Sequence, residues 1–265
     1  MEIQTPFDAL AETYEQQFVH LRIGQMQRQL VWNYLLPLVN KRPLRILELN
    51  CGTGEDAARL ASMGHSVIAT DASSKMIAQC TIKMGDRQEN LQFVRSSFEE
   101  IKSNFTGHQF DLIFSNFAGI NCIDKNEILQ LQNDAWDLLS EDGHIFLVAL
   151  SKACIWEFLF YTMQGNLSTA TRRWKNPARF ETESGAMDIF YYGPSVMKKL
   201  FHGFDLSKLA PVGFFVPPSY LENHIPSGAK WLNKLFDWDQ SLQHWSILSN
   251  FADHYCMELK KRNRT

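Results

Sequence analysis

Between Leu44 and Leu150, short apolar runs alternate with segments of helical periodicity. That alternation restricts the chain to a mostly parallel sheet joined by right-handed helical crossovers. The runs are Leu44–Leu49, Ser66–Thr70, Leu91–Val94, Phe110–Ser115 and Gly143–Leu150. Ala57–Ala61, Ser74–Lys83 and Glu127–Leu139 read as the helices between them, the first ended by Gly64. A short, uninterrupted apolar run bounded by Pro43 and a glycine loop, as at Leu44–Leu49, suits a strand buried on both faces.

The flanks are less regular. From Phe7 to Val39 apolar residues recur mostly at spacings of three and four (Leu10, Tyr14, Phe18, Leu21, Ile23, Met26, Leu30, Tyr34, Leu35, Leu38), which predicts one long or two shorter amphipathic helices stopped near Pro37 and Pro43. Residues 151–190 are aromatic and follow no period; they are expected to form an insertion over one edge of the sheet. Asp205–Val216 and His254–Lys261 each hold a strand, and the stretch around Trp231–Phe251 between them is expected to be helical. No internal repeat interrupts the pattern.

Composition narrows the function. Among 265 residues, 26 Lys and Arg against 29 Asp and Glu give a net charge of −3, so the electrostatic footprint of a nucleic-acid binder is missing. The basic clusters Arg172-Arg173-Trp174-Lys175 and Lys260–Arg264 read as solvated surface. Five scattered cysteines, with no C-x-x-C pair and no histidine at metal-ligand spacing, predict reduced thiols, a cytoplasmic protein and no metal. Met1–Pro6 lacks a basic region followed by an apolar run, and no stretch approaches the roughly 18 apolar residues of a membrane span.

The loop after the first strand, Gly52-Thr53-Gly54-Glu55-Asp56-Ala57, fits G-x-G-x-x-A, with Asp71 about twenty residues further on. Glycines let backbone approach a ligand, and an acid at the end of the second strand accepts hydrogen bonds from ribose hydroxyls. Spacing alone leaves NAD and S-adenosylmethionine both open. Three features favour the second. Glu48 lies inside the first strand, where a carboxylate is costly unless it meets donors such as a cationic amino-acid cofactor offers. About forty residues precede the first strand, where dinucleotide domains commonly begin at once. Five parallel-type strands are followed by two more.

Ile46-Leu47-Glu48-Leu49-Asn50-Cys51-Gly52-Thr53-Gly54 resembles motif I of the class I S-adenosylmethionine-dependent methyltransferases, and Ile68–Met76 resembles the acidic loop that follows it. Phe110–Phe117 is similar to motif IV, and Leu138–Ile145 to the turn before strand five. The opening Phe7-Asp8-Ala9-Leu10-Ala11-Glu12-Thr13-Tyr14-Glu15 resembles the start of small-molecule methyltransferases of the quinone-biosynthesis group. The resemblance covers residues 7–150. It implies an α/β, Rossmann-like, seven-stranded, mostly parallel sheet with an antiparallel C-terminal strand. Residues 1–40 would be a helical cap, 41–150 the cofactor-binding core, and 151–265 a lid plus the last two strands.

The resemblance also implies roles. Glu48 would contact the methionine end of S-adenosylmethionine, while Asn50, Cys51, Gly52 and Gly54 would form the backbone cradle. Asp71 would hold the ribose, with Ala72 and Met76 on the adenine and Ser97 and Phe98 beside it. Asn116 and Phe117 would lie next to the methionyl group and the acceptor, and Tyr14 would cap the site. Three departures stand out: Asn50 replaces a glycine and offers a side chain that can touch ligand; Ser97 stands where the family commonly has Asp; Asp142 replaces a glycine. Trp174, Tyr191, Tyr192, Phe214, Phe215, Tyr220 and Trp231 are candidates for the acceptor pocket or for plain packing. His20, His224 and His254 fall nearest the cleft, but none has a visible carboxylate partner, so no base is assigned. The expected activity is methyl transfer to an O, N or C atom of a small, partly apolar molecule, with no nucleic acid and no membrane span. A non-catalytic binding protein, suggested by Asn50 and Ser97, and an NAD-dependent oxidoreductase are the alternatives.

Overall fold

The computed structural model describes residues 5–262 except 6, 10, 12–13, 16–19, 86–88, 176, 183–184 and 227. Nine strands and nine α-helices are assigned among them. The first half alternates as the sequence predicts: α1 (Arg22–Val39), β1 (Arg45–Leu49), α2 (Glu55–Ser62), β2 (Ser66–Asp71), α3 (Ser74–Met84), β3 (Leu91–Arg95), α4 (Ile101–Phe105), β4 (Phe110–Ser115), α5 (Lys125–Leu138) and β5 (Leu139–Leu150). The second half contains α6 (Ile155–Met163), α7 (Leu167–Ala170), β6 (Ala178–Thr182), β7 (Gly185–Ile189), α8 (Pro194–Leu200), β8 (Phe204–Val212), α9 (Trp231–Ser241) and β9 (His254–Lys261).

Seven strands form one sheet in the order β3-β2-β1-β4-β5-β9-β8, and β6 and β7 form a separate hairpin. β1 to β5 are parallel neighbours, whereas β9 runs antiparallel between β5 and β8. Alternate residues of each central strand serve opposite faces. Leu47, Leu49, Ile113, Ile145 and Leu147 pack with α4, α5 and α8. Ile46, Leu112, Phe114, Phe146 and Val148 pack with α1 and α2. Burial on both sides is why these runs are apolar throughout. The same period puts Glu48 on the Ile46 side of β1, toward α1 and α2.

Several boundaries differ from expectation. α1 begins at Arg22; ahead of it Tyr14 and Glu15 are also helical, while Leu10 and Phe18 lie outside the described residues. Pro37 sits inside α1 without stopping it: so close to the end it forfeits one backbone donor, and Asn40 N–H still reaches Leu36 O at 2.9 Å. Leu139–Asp142, expected as a turn, extends β5, with a register irregularity between Phe110 and Leu112 on the neighbouring strand. The helix expected over Trp231–Phe251 ends at Ser241 and is followed by a 3-10 turn, Ser246–Asn250.

The unassigned stretch after Leu150 folds into α6, α7, a 3-10 turn (Arg172–Trp174) and the β6–β7 hairpin. It lies over the carboxyl ends of the strands. Asn121 fixes it there, its side chain accepting from Leu150 N–H (2.9 Å) and donating to Phe190 O (2.6 Å). Ligands of open α/β sheets bind at that edge.

Candidate active site

The turn from β1 into α2 is built from left-handed backbone at Asn50 (φ 48°), Gly52 (φ 55°) and Gly54 (φ 80°). Gly54 is also steric: a Cβ there would lie 2.9 Å from the Phe93 ring. Asn50 tolerates the conformation that the resembling family gives to glycine. Its side chain is spent inside the protein rather than offered to a ligand. Oδ1 accepts from Ser115 Oγ (2.6 Å) and Nδ2 donates to Asn116 O (2.6 Å), tying the loop to the end of β4. Gly119 makes room for it, since a Cβ there would lie 2.1 Å from Asn50 Cγ. Cys51 is buried, its N–H donating to Thr70 O (2.8 Å).

Asp71, at the end of β2, accepts from Gly52 N–H (3.0 Å) and Ser73 N–H (2.9 Å). Burial pushes its carboxyl up, and these backbone donors hold it back, leaving it at about 6. Ala72 follows it, and Met76 is buried one turn into α3. Tyr14 meets the loop as expected: a Cβ on Gly52 would lie 3.2 Å from its ring. Burial raises the Tyr14 phenol to about 12.

Glu48 is 2% exposed, and its Oε2 has no hydrogen-bond partner among the described residues. Burial, with the charge of Asp56 nearby, raises its carboxyl well above the ordinary range, against the pull of Arg28. An unsatisfied buried oxygen of this kind costs about 1–3 kcal/mol unless it meets a donor. Arg45, on the same strand, pairs with Asp111 at 3.5 Å.

Asp56 emerges as a residue the sequence reading passed over. Fully buried, it accepts from Trp32 Nε1 (2.8 Å), Asn116 Nδ2 (2.7 Å) and the Arg28 guanidinium. Burial raises its carboxyl, but Arg28 and these donors outweigh that and keep it below the usual range. The amide of Asn116 is therefore committed to the protein: Oδ1 accepts from Phe117 N–H (2.9 Å). Phe117 (φ 44°) and Ala118 (φ 66°) are both left-handed, at about 1–2 kcal/mol each. That turn places the Phe117 ring between Arg28, 5.0 Å from its centroid, and His254, 5.6 Å away and perpendicular.

Ser97 sits beyond β3 as expected, but its N–H (2.8 Å) and hydroxyl both go to Glu100, which Arg95 also grips at 2.7 Å. Phe98 packs, half-buried, against the core.

The roof corrects one reading of the sequence. Arg172 and Arg173 are not solvated surface: Arg173 is 3% exposed, donating to Asp253 Oδ1 (2.6 Å), Glu157 Oε2 (3.1 Å) and two backbone carbonyls. Arg172 closes a bidentate pair on Glu157 at 2.8 Å, which also accepts from Tyr220. The three buried charges, Glu157, Arg173 and Asp253, require pairing, and no local sequence pattern announces partners eighty residues apart. The aromatic candidates divide. Tyr191 lies under Arg173, Tyr192 is core, and Trp174 and Trp231 are exposed. The Phe214 and Phe215 N–H groups are held by Asp239. Of the histidines, His20 is largely exposed and His224 packs on Phe160, while His254 meets Asp253.

A glycine turn after β1, acids ending β1 and β2, and a seven-stranded sheet with an antiparallel strand at the sixth place define the class I methyltransferase fold. Residues 46–143 match the family model described as a methyltransferase domain. The matched segment is therefore similar to a methyltransferase domain, and it lies on the Rossmann-like seven-stranded sheet described above. It is 26% identical over 147 residues to the tRNA 5-carboxymethoxyuridine methyltransferase of Escherichia coli, covering 54% of this chain and 55% of that protein. It is 35% identical over 88 residues to the trans-aconitate 2-methyltransferase of Deinococcus radiodurans, 32% of this chain and 31% of that one. The chain spans about half the length of the curated relatives it first matches. The CcbJ methyltransferase of Streptomyces caelestis shares the fold with a TM-score of 0.61 at 13% identity, over 97% of this chain and 98% of that one. Magnesium protoporphyrin IX methyltransferase from Synechocystis does so at 0.57 and 13%, over 91% and 85%.

Proposed function

We propose that this protein transfers a methyl group from S-adenosylmethionine to an O, N or C atom of a small, partly apolar molecule. The observation that carries the reading is Glu48, a buried carboxylate with an orphaned oxygen beside a left-handed glycine loop. A dinucleotide brings no cation to that place; the ammonium of a methionyl group does. The residues present fit the cofactor. Glu48 takes its amino group, and the backbone of Asn50, Cys51, Gly52 and Gly54 approaches its methionyl-ribose portion. Asp71 accepts from the ribose hydroxyls, and Ala72, Met76, Ser97 and Phe98 flank the adenine. Tyr14 covers the loop, and Phe117 faces the reacting end. Asn116 acts at one remove, holding Asp56 and the Phe117 turn. The sulfonium supplies an activated methyl group; the protein's work is to align the acceptor and exclude water.

In this reading the described part of residues 1–40 caps the cofactor core of 41–150, and the described part of 151–265 supplies the acceptor lid and the last two strands of the sheet. The buried Tyr191 and the ring of Phe117 favour a partly apolar acceptor. The relative named for a tRNA nucleoside supports a second reading, a nucleic-acid acceptor. The net charge of −3 weighs against it. No helix of the described residues is long and apolar enough to cross a membrane. The free cysteines suit a reducing cytoplasm. Calorimetric titration with S-adenosylmethionine, S-adenosylhomocysteine and NAD tests the reading. Binding of the first two and not of NAD is expected. Binding of NAD alone would overturn it, and methyl transfer from labelled cofactor to any acceptor would exclude a purely binding role.

A further inference from the structure

We infer that His254 accepts the proton of the acceptor's nucleophile and that Asp253 is its positioning residue. This rests on the proposed methyltransferase activity and deepens it. His254 opens β9, paired with Leu150 of β5 and Val212 of β8, and so stands at the carboxyl edge of the sheet, where the cofactor loop also lies. Its ring meets Phe117, whose other neighbour is Arg28 of the Asp56 cluster. One aromatic ring therefore separates His254 from the cofactor side.

The carboxylate partner that the sequence did not reveal is the preceding residue. His254 Nδ1 is 3.1 Å from Asp253 Oδ2, at ion-pair distance but bent from hydrogen-bond alignment, as dyads without substrate commonly are. Asp253 is 3% exposed and held from two other sides, by Arg173 on Oδ1 and by Gln27 Nε2 (3.1 Å) on Oδ2. Burial raises its carboxyl, but His254 and Arg173 prevail and hold it well below the carboxylate range. Its fold is thus satisfied without the imidazole. Nε2 of His254 makes no hydrogen bond among the described residues. A carboxylate on Nδ1 and a free Nε2 are the arrangement of a general base.

In the step, the acceptor's heteroatom gives its electron pair to the methyl carbon and the C–S pair remains on sulfur. The heteroatom's proton passes to Nε2, and the imidazolium returns it to water. A base is useful only if the nucleophile still carries its proton at neutral pH. The acceptor class is therefore a hydroxyl or phenol rather than an already ionised carboxylate.

The charged groups around the ring are Asp253, Arg173 with Glu157, and Arg28 beyond Phe117. A cationic sulfonium on the cofactor side of Phe117 would add to them, whereas the neutral thioether product would not. The test is a pH titration of the imidazole nitrogens by NMR in the full-length protein, saturated with S-adenosylmethionine or with S-adenosylhomocysteine. His254 is identified by loss of its signals in H254Q, or by sequential assignment from Asp253 if that variant does not fold. An Nδ1–H tautomer is expected, titrating about one pH unit lower in the sulfonium complex. Equal titration in the two complexes, or an Nε2–H tautomer, would overturn the proposal while leaving the methyltransferase reading intact. If neither ligand perturbs the amides of residues 50–54, both fall together.

Discussion

The cradle formed by β1, β2 and their loops and the roof formed by residues 151–253 solve different problems. The cradle is backbone geometry: left-handed residues at 50, 52 and 54 and an acid at the end of each of two strands. Its carboxyls lack charged partners of their own: Glu48 Oε2 has no hydrogen-bond partner among the described residues, and Asp71, held by backbone N–H groups alone, is raised by burial to about 6. The roof is side-chain chemistry whose charges satisfy one another, Glu157 and Asp253 against Arg172 and Arg173. A region waiting for a ligand spends stability on binding; a region that is internally paired spends its charges on shape.

That contrast predicts opposite consequences for charge removal. The largest effect falls in the roof: R173M takes the buried guanidinium from Asp253, while Glu157 keeps Arg172 and Tyr220, and it is expected to cost about 3–5 kcal/mol, read as a lower urea midpoint. Should its midpoint match the unmutated protein, the roof is not held by this network. In the cradle, D71N is expected to weaken S-adenosylhomocysteine about 10–100-fold by calorimetry while moving the unfolding midpoint far less. Equal loss of stability in the two variants would erase the distinction.

Acidity gives the next effect. A carboxylate accepts from ribose hydroxyls better than a carboxylic acid, and Asp71 is protonated below about 6. Free of ligand, the raised value means the folded state keeps a proton that the unfolded chain has released between the ordinary 3.8 and about 6. The Asp71 contribution to stability therefore falls as pH rises through that window. Ligand affinity runs the other way: it should weaken by up to about tenfold between pH 6 and pH 5, and less in D71N. A flat profile in the unmutated protein would remove Asp71 from the ribose site. The smallest effect is at Asn50. N50G gives up two hydrogen bonds but relieves left-handed backbone, so stability should change by about 1 kcal/mol or less, with ligand affinity almost unaltered. A large affinity loss would mean that the side chain does reach ligand.

The same contrast explains what the sequence could say. Strand alternation, the glycine turn and Asp71 were legible because each is fixed by neighbours close in the chain. The strand expected within His254–Lys261 is β9, which spans that segment. Arg28 and Asp56, twenty-eight residues apart, were not legible, since a buried ion pair leaves no periodic trace. Arg173 was misread as surface for the same reason, its partner lying eighty residues away. His254 was noticed but left without a partner, although Asp253 adjoins it. Adjacent strand residues point to opposite faces as a rule, and only the turn entering β9 brings this pair together.

The structure of the protein with S-adenosylhomocysteine bound tests the central claim most directly. The account predicts the amino group of the ligand on the Glu48 carboxylate and the ribose hydroxyls on Asp71. A complex in which Glu48 Oε2 remains without a partner, or in which the ligand lies away from the Asn50–Gly54 turn, would contradict it.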